Sequence, residues 1–173
     1  MTNPRTIFQL LMFSGIILLS ACNAEEPEPT TPTAPPTSNP NPFVNSFTAT
    51  VDGNEFVETL LVGTESPGAN SILITASQST FPSIGIAFSN TITPGTYTYQ
   101  GSFGSRRGIY NISNNADGQY SANSGTGSLE IISHNLTTNE IVGNFSFIAS
   151  PNMGNTNTNS YNITSGSFSI KYN

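Results

Sequence analysis

The sequence predicts an all-β domain over residues 43–173, an antiparallel sandwich or flattened barrel of about nine or ten strands. Three observations carry that prediction. Apolar and polar residues alternate with a period of two, no window shows the period of a helix, and turn signals separate the apolar runs. In SGSFSIKY, Gly166, Phe168, Ile170 and Tyr172 fall on one face, while Ser165, Ser167, Ser169 and Lys171 fall on the other. A strand with one buried and one wet side reads this way.

The same alternation recurs along the chain. It places Phe47, Ala49 and Val51 on one face of NSFTATVD, Ile72, Ile74 and Ala76 in NSILITAS, and Ile84, Ile86 and Phe88 in SIGIAFS. GTYTYQ contributes Tyr97 and Tyr99, and IVGNFSFIA contributes Ile141, Phe145 and Phe147. Between these runs stand Asp52-Gly53, Pro67-Gly68, Pro94-Gly95, Asp117-Gly118 and the Asn-rich PNMGNTNTNSYN. Gly, Asn and Asp tolerate the left-handed backbone of tight turns, and Pro presets their first corner. Roughly 130 residues are enough for one domain with its own core.

Ahead of the domain, Arg5 is followed by the apolar run IFQLLMFSGIILL and the small residues Ser20 and Ala21. That order predicts a secretory signal over residues 1–21. The run is shorter than the ~20 apolar residues a membrane-crossing helix needs. Residues 22–42 read as a linker, because Asn23 to Pro42 holds seven prolines and no aromatic or β-branched aliphatic residue. Extended at about 3.1 Å per residue, it spans roughly 60 Å.

Cys22 is the only cysteine, so no disulfide forms within the chain. Leu19-Ser20-Ala21-Cys22 resembles the lipobox of bacterial lipoproteins. The resemblance implies cleavage before Cys22, with diacylglycerol on its sulfur and a further acyl chain on its amine. Two or more chains anchor stably where one holds marginally, at about 0.8 kcal/mol per buried CH₂. Glu25, Glu26 and Glu28 then carry two readings: simple solvation with repulsion from anionic headgroups, or an acidic cluster that resembles the surface-export signal of Bacteroidota lipoproteins. The expected location is the outer membrane, held by lipid, with the cell surface as the side the second reading adds.

Within the domain, VDGNEF, PGTYTY, SGTGSLEI, EIVGNFSFIA and ITSGSFSIKY together resemble a family of Bacteroidota lipoproteins of unknown function with a single all-β domain. The resemblance covers most of the domain and implies its fold, without bringing an activity or a cofactor. Phe56 departs from it, since that family often has tryptophan after the first turn.

No motif commits the chain to a chemistry. His134 is the only histidine and sits in the polar stretch SHNLTTNE, which reads as a surface turn. The acids of the domain fall mostly at turns and strand ends. Zinc lacks ligands, and Asp52-Gly53-Asn54-Glu55 reads as a hairpin turn before it reads as a calcium loop. Seven acids against Arg106, Arg107 and Lys171 oppose nucleic-acid binding. The reading is therefore not an enzyme and without cofactor or metal: a module that binds or builds at the cell surface through glycan or protein contact. A carrier of a small apolar ligand inside a barrel is the alternative, and a hydrolase a more distant one.

The residues nominated for ligand contact are Arg106 and Arg107, adjacent in the glycine-rich GSFGSRRGIY, with Tyr110 beside them. Paired guanidinium forks suit a carboxylate or sulfate. The anchor itself is checked by fractionation. Cys22→Ser is expected to move the protein out of the membrane fraction, and unchanged partitioning would contradict a lipid at this residue.

Overall fold

Strands form where the alternation predicts them, and the computed structural model describes residues 42–173. The signal segment, Cys22 and the linker through residue 41 lie outside the described residues. β1 (Ser46–Val51) and the two-residue β2 (Asn54–Glu55) form a hairpin over Asp52 and Gly53, whose φ values are 50° and 81°. Two positive φ angles make a type I′ turn, whose twist matches the flanking strands. β3 (Leu60–Ser66), β4 (Ser71–Ser77) and β5 (Ser83–Ser89) run as a meander, followed by the short β6 (Gly95–Tyr97). β7 (Arg107–Asn111), β8 (Gln119–Ala122), β9 (Ser128–Asn135), β10 (Glu140–Pro151) and β11 (Tyr161–Lys171) complete the set.

The strands belong to one antiparallel sheet, ordered β2-β1-β11-β10-β8-β7-β5-β4-β3, with β9 on β10 and β6 on β9. It curls into a half-barrel. Continuity rests on β10, which pairs with β9 over Glu140–Ser146 and with β8 over Ala149–Pro151. One strand thus joins two halves that face each other, with the rings of Phe88 on β5 and Phe168 on β11 6.2 Å apart.

The curl brings the end of the chain to β3. Asn173 donates its backbone N–H to the Gly63 carbonyl at 3.2 Å and accepts from the Glu65 N–H at 2.7 Å. The direction follows from the topology. Six antiparallel steps lead from β11 to β3, so β3 runs with β11, and two bonds flanking one residue are the mark of a parallel pair.

β11 keeps its apolar face only by adding a residue. Against β10, Phe145 pairs with Gly166 and Phe147 with Ile163, so three steps on β11 match two on its neighbour. β1 shows the same shift, between Thr48 and Thr50. Ser165, at φ 52°, is the bulged residue that lets both Ile163 and Gly166 face inward.

The predicted core residues of β1, β4, β5, β10 and β11 are buried, with Val51 partly so. Phe56 joins them at 3 % exposure, its ring 6.3 Å from Phe47. Tyr97 is only half-buried, whereas Tyr99 is buried beyond the end of β6. Burial pushes the Tyr99 phenol well above its ordinary pKa.

His134 corrects the sequence reading, because it belongs to β9 and not to a turn. Its Nδ1 meets the Ile92 carbonyl at 2.9 Å, and its Nε2 meets the Tyr172 hydroxyl at 2.8 Å. A carbonyl only accepts, so Nδ1 carries the proton, and in that tautomer Nε2 accepts from the Tyr172 hydroxyl. Tyr172→Phe keeps the packing and removes that donor. It is expected to cost about 0.5–1.5 kcal/mol in urea unfolding, the net contribution of one ordinary hydrogen bond, because His134 is only half-buried. Tyr172→Ala is expected to cost more, since it also empties the core beside the sheet's closing seam.

Candidate functional site

The nominated arginines lie where a loop returns into the sheet, and the backbone sends them to different neighbours. Residues 98–106 join β6 to β7. Gln100 N–H donates to the Arg106 carbonyl at 2.9 Å, and the Gln100 side-chain oxygen accepts from both the N–H and the hydroxyl of Ser105. These bonds cinch the loop, so that Gly101, Ser102, Phe103 and Gly104 form its tip. A φ of 81° at Gly101 starts that tip.

Arg106 is committed to the scaffold. Its Nε donates to the Thr98 carbonyl at 3.1 Å, and its guanidinium carbon lies 5.3 Å from the centre of the Tyr97 ring. The arrangement is a cation–π contact of the exposed kind, contributing about 0.5–1 kcal/mol. Tyr97 is held in turn by its hydroxyl, which donates to the Thr93 carbonyl at 2.9 Å. Arg107 is the first residue of β7, opposite Ala87 of β5, and makes no ion pair among the described residues. The one ion pair there joins Lys171 to Glu140 at 4.0 Å.

Tyr110 does not join them. Successive strand residues point to opposite faces, so Arg107 and Ile109 face outward while Gly108 and Tyr110 face inward. Tyr110 is 6 % exposed and packs edge-on against Tyr161 at 4.9 Å, toward the far end of β7. The structure therefore separates Tyr110 from the surface on which Arg107 stands.

A different aromatic takes that place. Phe103, at the loop tip, is 89 % exposed and shares a groove of about 270 Å³ with Arg107, Asn70, Ser71, Ser89 and Ser105. On its other side it borders a second groove with Ser102, Gln119, Asn152 and the 88 % exposed Met153. The loop is seated by polar contacts of the neighbouring Ser102. Ser102 Oγ donates to Asn152 Oδ1 at 3.1 Å, Ser121 Oγ donates to the same oxygen, and the two hydroxyls lie 2.6 Å apart. Ser121 is 5 % exposed on an outward-facing position, so the loop covers that part of β8.

Sequence reasoning passed over Phe103 because its stretch was read for charge. The available signal was a phenylalanine flanked by Gly101-Ser102 and Gly104-Ser105, with no alternating neighbours to bury it. The site therefore offers an aromatic face, one unpaired guanidinium and several hydroxyl and amide groups, on a loop fixed at both ends. Among the described residues no three His, Cys, Asp or Glu side chains converge on a point. No family model matches the chain, and no curated protein or solved structure does either.

Proposed function

We propose that the chain is a lipid-anchored envelope protein whose β domain binds an acidic glycan at the cell surface through the loop carrying Phe103 and Arg107. The single observation behind the ligand class is the shared groove: an almost fully exposed aromatic ring beside a guanidinium without a counter-ion. Sugar rings present C–H faces that suit an aromatic ring, and their hydroxyls suit Ser, Asn and Gln. A carboxylate or sulfate on the polymer supplies the charge that Arg107 lacks, in a bidentate pair stronger than a neutral hydrogen bond. The lipobox and the proline-rich linker support the anchored location.

Loop rigidity favours the same reading. Gln100, Ser102 and Asn152 hold the tip before any ligand arrives, so little ordering entropy is lost on contact. A carrier would need an open interior, whereas the two halves of the sheet meet through packed aromatic rings.

The full chain bearing Cys22→Ser, screened against neutral and acidic polysaccharides, is expected to retain the acidic ones and to release them as salt is raised. Phe103→Ala and Arg107→Ala are each expected to weaken retention at least tenfold, about 1.4 kcal/mol, with melting temperatures nearly unchanged. Retention that survives both substitutions, or none at all, would remove this site.

A further inference from the structure

At the end of β7 away from Arg107 lies another depression, of opposite character. It has a volume of about 310 Å³, and its walls include Asp52, Glu55, Gln78, Pro82, Tyr110 and Tyr161. The β1–β2 turn supplies the carboxylates and the sheet supplies the rings. Tyr161 stands at the centre of the aromatic wall, edge-on to Tyr110 at 4.9 Å and to Tyr120 at 4.8 Å.

Three polar groups of this cleft are left without a partner among the described residues. Tyr110 is 6 % exposed and lines the cleft, yet its hydroxyl makes no hydrogen bond among the described residues. Glu55 is exposed and takes part in no ion pair or hydrogen bond among them. Asp52 Oδ1 accepts the Asn162 backbone N–H at 2.8 Å, which leaves its second oxygen open. No cationic side chain lines the cleft. Burial raises the Tyr110 phenol above its ordinary range, and the neighbouring Tyr161, Asp52 and Tyr120 raise it further. The hydroxyl therefore stays neutral, and the charge of the cleft is that of its two carboxylates.

We infer that this cleft is a binding site for a small organic cation, an alkylammonium or quaternary ammonium ion seated against Tyr110 and Tyr161 and neutralised by Asp52 and Glu55. Aromatic faces attract such cations through the ring quadrupole, most strongly where water is excluded. The carboxylates add charge, and the Tyr110 oxygen gains an N–H donor when the ion carries one. Size agrees, since the volume stands at the small end of ligand pockets. The inference does not rest on the glycan reading, because the two sites lie at opposite ends of β7 and share no residue.

The test is titration of the full chain bearing Cys22→Ser with choline chloride, followed by the tyrosine ring signals in NMR. Ionic strength is held constant with sodium chloride, and glucose serves as the neutral control. Saturable shifts of Tyr110 and Tyr161 are expected with choline and not with glucose. Asp52→Asn preserves the acceptor for Asn162 and tolerates the left-handed turn. Both it and Glu55→Gln are expected to raise the dissociation constant at least tenfold, while Arg107→Ala leaves it unchanged. Shifts that never saturate, that glucose reproduces, or that persist in Asp52→Asn and Glu55→Gln would overturn the site.

Discussion

The two longest strands of this domain pair through rings laid over glycines. On β10 the inward residues Gly143 and Phe145 face Phe168 and Gly166 of β11, so each cross-strand pair holds one ring and one bare backbone. A Cβ added at Gly166 would lie 2.5 Å from Phe145 Cε2, and one at Gly143 would meet the Glu130 carbonyl oxygen of β9 and lie 2.6 Å from Phe168 Cζ. Each ring therefore occupies the space its partner's side chain would need. The two rings then stack diagonally, 6.3 Å apart and 30° from coplanar. A third ring extends the motif across the fold: Phe147 of β10 lies over Gly108 of β7, where an added Cβ would meet it at 2.8 Å.

This packing explains how one strand serves two halves. β10 leaves β9 and takes up β8 partway along its length, and the bend must happen without opening the core. The bulge at Ser165 supplies the extra residue on β11, and Phe147 spans from β10 to β7. With β7 held from the inside, its outward face and its two ends are what remain to meet other molecules. Arg107 and the seated Phe103 loop lie at one end, and the tyrosine cleft beside the Asp52-Gly53 turn lies at the other.

The parts of the fold legible in the sequence were those governed by local rules. Period-two alternation located the inward residues of β1, β4, β5, β10 and β11, and Asp52-Gly53 announced its turn through backbone sterics alone. β3 carries Leu60 and Val62 on its exposed face, which breaks the alternation that would have marked it. β9 ends in the polar residues Ser133, His134 and Asn135, so its last turn-like residues are strand only because β10 pairs with them. The arginine pair misled for a related reason. Glycines around Arg106 and Arg107 read as a loop, but β5 and β8 claim Arg107 through Asn111 as a strand and turn Tyr110 inward. The exposure of Phe103 depends on where Ser102 and Asn152 seat the loop, fifty residues apart in sequence, and local pattern carries no such information.

The ring-over-glycine account is tested most directly by a double-mutant cycle on Phe145 and Gly166, where the three atoms nearest an added Cβ all belong to the Phe145 ring. Gly166→Ala alone overpacks a filled core and is expected to cost about 1–3 kcal/mol in denaturant unfolding. Phe145→Leu alone loses ring packing. If the ring occupies the missing side chain's space, the double variant is less destabilised than the two costs added together, with a coupling of about 0.5–3 kcal/mol. Costs that add to within about 0.5 kcal/mol would contradict the account.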